Sequence, residues 1–279
     1  LGGYDLWETR GLWVWAKPKG AELSLEFSTD DRKNWKLTPK ASVRKYDNKG
    51  SEYLIDFLGI INTGTKVALS ANIKGTWETN RTAWASNETF IPDGPGWKIG
   101  NLSTSPDKLS PEDFTAFDDN GRLGSILSGV NEYQPGSYYV PVFGTRDTRS
   151  LDFTVRGSLT LSNKLSLQLY SQFFAAKGRY DNFSILTDPD NLAAFPEYPK
   201  RRDFSYKNLH SNFVTRWEYR PGSAIYFVWT HTRKKDDEMN PLAPWGKSPY
   251  EQSLGQQVSD LFRLFPGNSI MIKIDYAFH

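Results

Sequence analysis

The chain has 279 residues and a formal charge of +2 spread without long runs of one sign, which gives no electrostatic argument for nucleic-acid binding. The absence of cysteine excludes a disulfide framework and thiolate metal sites. No run of about 18 apolar residues occurs, which excludes a membrane-spanning helix but does not test for membrane strands. Aromatic residues nevertheless make up 15% of a chain whose mean hydropathy is −0.58. Membrane strands that alternate lipid-facing and polar residues explain this combination, and a soluble β-sandwich is the alternative.

Alternation of apolar and polar residues predicts nine strands. We place them near 12–28, 34–46, 51–61, 66–85, 138–161, 165–177, 207–219, 224–234 and 268–278.

The connections between these strands alternate between short and long. Tight turns are predicted at 62–65, 161–164 and 220–223, with a less certain one at 30–33. The long connections are roughly 79–137, 176–206 and 235–267. Outer-membrane barrels have short periplasmic turns and long external loops, so this alternation favours an antiparallel transmembrane barrel.

The strand directions bear on the start of the chain. With tight turns in the periplasm, the first strand runs inward, whereas single-chain bacterial barrels have both ends in the periplasm. We therefore expect an odd number of strands before residue 1, so that 1–279 is the C-terminal part of a larger barrel. The alternative is that one strand has been missed or invented.

The alternation also assigns faces, because a charge on the lipid side is costly. The predicted lumen-facing polar residues are Asp152, Arg156, Arg216, Glu218, Lys273 and Asp275. The predicted lipid-facing residues are Val67, Leu69, Ile73, Ile270, Ile272, Ile274, Tyr276 and Phe278. The mixed charges on the lumen side favour a salt-bridge network that seals the barrel. The alternative is that these residues line a pore.

Two further features lie on the external side. The strands at 66–85 and 138–161 are too long for a bilayer, so they are expected to project as a ribbon that carries a large extracellular insertion near 86–137. One short loop helix is predicted near 249–264, starting with a capping box at 248–251. Its apolar stripe consists of Leu254, Val258, Leu261, Phe262 and Phe265, and is expected to pack on the barrel or on a partner rather than on membrane.

Three segments, 165–180, 216–223 and 268–278, resemble the C-terminal barrel region of an uncharacterised family of bacterial outer-membrane proteins. The most specific is Arg-Trp-Glu-Tyr-Arg-Pro-Gly-Ser at 216–223, and a weaker similarity covers 28–33. In that family an N-terminal domain similar to family-nine carbohydrate-binding modules precedes the barrel. The resemblance therefore implies that this chain is the barrel half, and it carries over no catalytic residue.

Little in the sequence indicates chemistry. His210, His231 and His279 lie far apart, and neither Gly-x-Ser-x-Gly nor His-Glu-x-x-His occurs, so we expect no enzyme, catalytic residue or cofactor. The acidic clusters at 118–121, 188–191 and 236–238 suit turns better than calcium, so we expect no metal site. Three tryptophans predicted in external loops could stack on sugar rings, namely Trp84, Trp97 and Trp245, and interfacial anchoring or contact with a partner explains them equally well.

The function expected from these observations is that of a channel, receptor or scaffold of an envelope complex in the bacterial outer membrane, with a link to carbohydrate binding or uptake. Its expected partners are outer-membrane lipid, other envelope proteins through the long loops, and glycan, but not nucleic acid. The alternatives are an outer-membrane enzyme of the acyl hydrolase or transferase type, and a soluble, secreted β-rich binding protein.

Overall fold

The computed structural model describes residues 3–10, 13–30, 32–100, 114–118, 120–238 and 248–278. The side chains at 114, 237, 238, 249 and 254 lie outside the described part. The fold is all-β, with antiparallel strand pairs and few helices.

The strands are β1 (Tyr4–Asp5), β2 (Trp15–Ala16), β3 (Gly20–Glu26), β4 (Trp35–Tyr46), β5 (Ser51–Thr63), β6 (Val67–Asp93), β7 (Gly96–Gly100), β8 (Phe114–Phe117), β9 (Tyr138–Ser162), β10 (Leu165–Asp188), β11 (Asn191–Ala194), β12 (Phe204–Arg220), β13 (Ser223–Glu238) and β14 (Gly267–Asp275). The helices are α1 (Arg122–Leu127) and α2 (Leu254–Arg263), with a 3-10 turn at Pro249–Glu251 before α2.

Nine of these strands form one meander in the order β3-β4-β5-β6-β9-β10-β12-β13-β14, each antiparallel to its neighbours. All nine predicted strands are therefore present, and the predicted tight turns join β5 to β6, β9 to β10 and β12 to β13. Gly64 and Gly222 have φ of +61° and +75° in two of these turns, a conformation that glycine adopts at little cost. Within the described residues the meander does not close on itself.

The first predicted strand, 12–28, is wrong at its start. β3 covers only Gly20–Glu26, whereas Trp15 pairs with Asp5 in a separate two-stranded sheet. Pro18 has no N–H to donate to a ladder, and Trp15 is 5% exposed in a buried core with Phe143 and Leu186 at the distal ends of β9 and β10. Packing of Trp15 thus separates this segment from β3.

Several strands continue beyond their predicted ends. β6 and β10 extend to Asp93 and Asp188. Register shifts interrupt their ladders with β9 between Glu78 and Arg81 and between Asp181 and Ser184, and the ladders resume after these shifts. Each bulge inserts extra residues and interrupts the period-two pattern on which the prediction depended.

The predicted insertion at 86–137 also needs correction. Its first part belongs to β6, which pairs with β9 as far as Phe90 opposite Tyr138. We call the part of the molecule beyond the bulges the head: the distal ends of β6, β9 and β10, together with β1, β2, β7, β8, β11 and α1. The buried apolar core of the head includes Phe90, Ile99, Leu123, Val142 and Phe195.

The predicted loop helix is present but begins later. Ser253, not Ser248, caps α2, through a reciprocal capping box with Gln256. The Ser248 hydroxyl instead donates to Asp203, and the turn after it stays 3-10. Helix α1 was not predicted, because six residues are too few to show a helical period. No helix in the described ranges is long and apolar enough to cross a membrane.

Candidate functional site: the two faces of the meander and its head

Side chains directly opposite each other on neighbouring strands share a face of the sheet, so the strand register defines both faces of the meander. One row passes through Leu69 and contains almost only apolar residues. It comprises Trp35, Ile61, Leu69, Gly157, Leu169, Phe213, Trp229 and Ile270. We call this side the apolar face.

The predicted lipid-facing residues lie on this one face. Val67, Leu69 and Ile73 share rows with Leu159, Gly157 and Phe153 of β9, and the three isoleucines of β14 share rows with Trp229, Phe227 and Ile225 of β13. Tyr276 and Phe278 continue the alternation but lie beyond β14, which ends at Asp275. The predicted end of this strand at 278 is therefore wrong, because β13 begins at Ser223 and offers no partner beyond Ala224 opposite Asp275.

The apolar face is uncovered in this structure. Ile270, Ile272 and Ile274 are 64–65% exposed, and Ile55 is 56% exposed on the opposite part of the sheet. Monomeric soluble proteins rarely expose apolar patches larger than a few hundred Å². The buried apolar core lies in the head, and among the described residues helix α2 and the turn before it pack on this side only beyond Trp229, towards the head.

The dimensions of the apolar face can be estimated from β6. Val67 to Trp77 spans roughly 33 Å along the strand, at about 3.3 Å per residue. At a tilt of about 45° this corresponds to a height of roughly 23 Å, compared with about 25 Å for the apolar band of membrane barrels.

The edges of the apolar face show how the strands are inclined. The edge of the apolar face towards the head lies at Tyr53 on β5 and at Trp229 on β13. The register row that contains Tyr53 reaches β13 at Asp237, eight residues beyond Trp229. That shift over five strand steps gives an inclination of roughly 45–50°. The edge towards the tight turns lies at Trp35 on β4 and at Tyr276 after β14. The row of Trp35 reaches Ile270, six residues before Tyr276, and this shift over seven strand steps gives an inclination of roughly 30°. The two values bracket the tilt of about 35–45° found in membrane barrels.

The opposite side, which we call the polar face, carries the six residues predicted to face a lumen. Most of them form local pairs. Arg216 donates to Glu218 at 2.9 Å, and Lys273 donates to Asp275 at 3.1 Å. Asp152 accepts a hydrogen bond from Gln172 at 2.6 Å, whereas the Arg156 guanidinium lies 5.3 Å from the ring centre of Tyr170.

The polar face is concave where several strands contribute to one cavity of about 500 Å³. Its lining includes Ser70, Arg156, Ser158, Gln168, Tyr170 and Asn212. The polar face therefore has an open recess at this point.

Near the head, the polar face carries an ion-pair group that the sequence did not reveal. Arg81 donates to Glu78 at 2.6 Å and to Glu52 at 3.1 Å, and Arg146 donates to Glu78 at 2.8 Å. Arg44 lies 3.6 Å from Glu52. We call these five residues the mouth cluster. The bulge between Glu78 and Arg81 places both on one face although they are three positions apart, so simple alternation could not group them.

The segment before β3 closes one side of the mouth cluster. A cavity of about 480 Å³ lies between Trp15 and Lys17 of this segment and Glu22, Arg44 and Arg81 of the sheet. The hydrogen bond from Lys17 lowers the pKa of Asp5, and the Asp5 carboxylate also accepts from the backbone of Trp7. These contacts stabilise the segment internally, and the N–H of Ala16 donates to the carbonyl oxygen of Pro189, which joins β2 to the turn after β10.

A second charged group is buried in the head. Glu88, with 0% exposure, accepts hydrogen bonds from Lys200 at 2.9 Å and Arg202 at 2.6 Å, and the Tyr198 hydroxyl donates to the same carboxylate. Burial raises the pKa of Tyr198, with a contribution from the Glu88 charge, and burial lowers the pKa of Lys200. Such a paired group fixes the loop at 198–202 on β6 rather than presenting a reactive side chain.

The tryptophans predicted to contact ligand from external loops are placed differently. Trp84 lies in β6, donates to Asn87 at 2.9 Å and has Arg10 5.0 Å from its ring centre. Trp97 lies in β7 and packs edge-on against Tyr138 at 6.0 Å. The loop placement of both is wrong, because the chain around each continues as strand. Trp245 lies outside the described residues.

The apolar face contains one polar row. Ser171 and Ser211 share a hydrogen bond of 2.8 Å, and the next residues in the row are His231 and Asn268, joined at 2.9 Å. The other ring nitrogen of His231 accepts a hydrogen bond from Arg233. His210 lies on the polar face against Tyr170, and His279 lies outside the described residues. No group of three or more potential metal ligands occurs among the residues that the structure describes.

The fold and these surfaces define an all-β protein built on a two-faced antiparallel meander with a separate head. The chain belongs to the family described as a domain of unknown function, DUF5916, whose model matches residues 117–278. This match covers more than half of the chain, from β8 to the residues after β14. No curated protein and no solved structure matched the chain.

Proposed function

We propose that the meander is part of the wall of a bacterial outer-membrane β-barrel that acts as a channel, receptor or scaffold of an envelope complex. The observation that carries this proposal is the exposed apolar face, which extends across all nine strands of the meander. Lipid would cover that face, and the charged residues of the strands would line the interior.

Three further observations support the proposal. The height of the apolar face and the inclination of its edges agree with membrane strands, as calculated above. The polar face carries an open recess of about 500 Å³ to which several strands contribute. Tryptophan and tyrosine lie at the turn side of the apolar face, as interfacial anchors do, and include Trp35, Trp217, Tyr219 and Tyr276.

The edges of the meander add a requirement. In the described residues β3 pairs only with β4, and β14 only with β13. A strand edge in lipid would leave backbone groups without partners, each at a cost of several kcal/mol. The proposal therefore includes further strands that pair with β3 and β14 and close the barrel.

The interior charges favour a plugged or narrow barrel over a wide, selective pore. The mouth cluster and the pairs Arg216–Glu218 and Lys273–Asp275 combine both signs, so they make no ring of one charge. Planar-bilayer conductance distinguishes these states, and we expect small or absent steps. The link to carbohydrate stays a prediction. Trp84 and Trp97, two of the three tryptophans considered for sugar stacking, both contact other residues of this chain.

An outer-membrane acyl hydrolase is a second candidate, favoured only by the row of Ser211, His231 and Asn268. A nucleophile needs a hydrogen bond to its base, yet Ser211 bonds to Ser171 and His231 bonds to Arg233 and Asn268. We therefore propose a non-catalytic protein. A fluorophosphonate probe tests this, because labelling that is lost in Ser211→Ala would support the hydrolase instead.

The test of the main proposal is the electrophoretic mobility of the detergent-extracted protein before and after boiling. A folded barrel resists the detergent used for electrophoresis, so the unheated sample should migrate at a different position from the boiled one. Recovery of the protein as a folded monomer in buffer without detergent would contradict the proposal and support the soluble alternative.

A further inference from the structure

Helix α2 and the 3-10 turn before it pack on the apolar-face side of the meander. Arg233, Lys207 and Lys177 occupy that side in adjacent strands. Arg233 donates to the carbonyl oxygens of Phe262 and Leu264, and Lys177 donates to the carbonyl oxygen of Tyr250 at 2.7 Å. The segment is therefore fixed to the outer surface of the sheet rather than extending freely from it.

The helix lies at the upper edge of the apolar face. Arg233 lies four residues after Trp229, which is the last apolar residue of β13 on this face. The Arg233 guanidinium lies 5.4 Å from the ring centre of Phe262. After α2 the chain enters β14 at Gly267, and Ile270 then lies opposite Trp229. Ile270 is five positions after Phe265, so at most roughly 17 Å of chain joins the end of the helix to the apolar face.

Side chains in α2 and in the residues directly after it fall into a buried and an exposed group. Leu261 and Gln257 are one helical turn apart, are nearly completely buried and face the sheet. Phe262, in the last turn of α2, and Phe265, just after the extended C-cap Leu264, are 57% and 100% exposed. Arg263, in the last turn between these two phenylalanines, is also exposed. Because these rings adjoin the exposed apolar face, they extend a continuous apolar surface of the kind that contacts a membrane or a partner.

We propose that α2 is an interfacial helix that lies along the membrane surface, with Phe262 and Phe265 inserted into the leaflet on the head side. The occupant of this surface is a lipid whose headgroup phosphate pairs with Arg263 and whose acyl chains contact the two rings. The proposal rests on the proposed function, because only a lipid-covered apolar face places α2 at a membrane boundary. Lipid explains the exposed rings because they continue the apolar face that begins at Trp229 and Ile270.

The chain contains no cysteine, so single cysteines can be introduced without changing any native residue of that type. The test uses three variants of the full-length protein, Phe265→Cys, Ile272→Cys and Tyr133→Cys, each labelled with a nitroxide and reconstituted in phospholipid vesicles. All three side chains are exposed, so labelling should leave the fold intact. Collision with oxygen reports lipid, whereas collision with a water-soluble nickel chelate reports water.

We expect the label at 272 to be accessible to oxygen and protected from nickel, the label at 133 in the head to show the reverse, and the label at 265 to have an intermediate depth. If 265 behaves like 133 while 272 remains in lipid, the interfacial helix is refuted and the barrel proposal stands. Protection of 265 from both reagents would indicate a protein partner and would also refute it. If 272 itself is in water, the proposed function fails.

Discussion

At the residue scale, neighbouring positions of β14 provide a matched test of the two faces. Ile272 and Met271 are 65% and 55% exposed and point to opposite sides of the sheet. Ile272→Arg places a cation in lipid, which costs about 2–4 kcal/mol near the bilayer midplane. Met271→Arg places it on the polar face. We therefore expect Ile272→Arg to lower the urea midpoint of vesicle-folded protein clearly, and Met271→Arg to change it little.

Equal effects of the two substitutions would mean that both faces meet the same medium. That result would contradict the assignment of lipid to the apolar face, whatever the size of the effect.

The buried Glu88 group gives a second residue-level prediction. Glu88→Gln removes the charge that both Lys200 and Arg202 contact, and breaking a buried pair in this way costs about 3–5 kcal/mol. The control is Asp93→Asn, because the Asp93–Lys98 pair is exposed, with side-chain exposures of 44% and 42%. It should cost less than about 1 kcal/mol. Hydrogen exchange of the head amides measures both, and comparable protection in the two variants would show that Glu88 does not hold the head together.

At the element scale, the start of α2 is testable through its capping box. Ser253→Ala removes the hydroxyl that accepts from the Gln256 N–H, and should destabilise the helix by about 1 kcal/mol. Ser259→Ala changes an exposed serine within the same helix and should be neutral or slightly stabilising, because alanine is the better helix former. Hydrogen exchange of the α2 amides should therefore accelerate in the first variant alone. Acceleration with Ser248→Ala and not with Ser253→Ala would place the cap where the sequence first suggested it.

The contact between Asp5 of β1 and Lys17, which follows β2, should depend on pH. Asp5 has a lowered pKa in the folded protein because Lys17 hydrogen-bonds to its carboxylate. The stabilisation is present above the ordinary aspartate pKa of about 4 and is lost as the pH falls through the lower folded value. Limited proteolysis of residues 3–18 should therefore increase in acid, and Asp5→Asn should remove this dependence. An unchanged pH profile in that variant would show that another group controls the segment.

The elements also show what could be predicted from the sequence. Period-two patterns located all nine strands of the meander, because each strand has one apolar and one polar face, as Val67 to Trp77 illustrates. The same rule failed beyond Glu78 and Asp181, where bulges shift the register, and so it missed the distal parts of β6 and β10. The mouth cluster and the Glu88 group were not predictable either. Their members lie up to 114 positions apart and meet only through the strand order and the folding of the head.

At the scale of the whole molecule, the head and the meander differ in what stabilises them. The head has a conventional buried core, whereas the meander below it has two solvent-accessible faces of opposite character. A sheet of this kind is stable only if a different medium covers each face. In the proposed barrel, lipid outside and a polar interior would satisfy that requirement and would explain an aromatic-rich chain whose mean hydropathy is nonetheless polar.

The most direct test of that claim is a cysteine scan of consecutive positions from 67 to 77 in β6, measured on the full-length protein in lipid vesicles. Each nitroxide-labelled position is tested for collision with oxygen and with the water-soluble nickel chelate. We predict that the odd positions, from Val67 to Trp77, contact lipid and that the even positions between them contact water. Loss of this period-two alternation, with water contact at both odd and even positions, would contradict the membrane barrel.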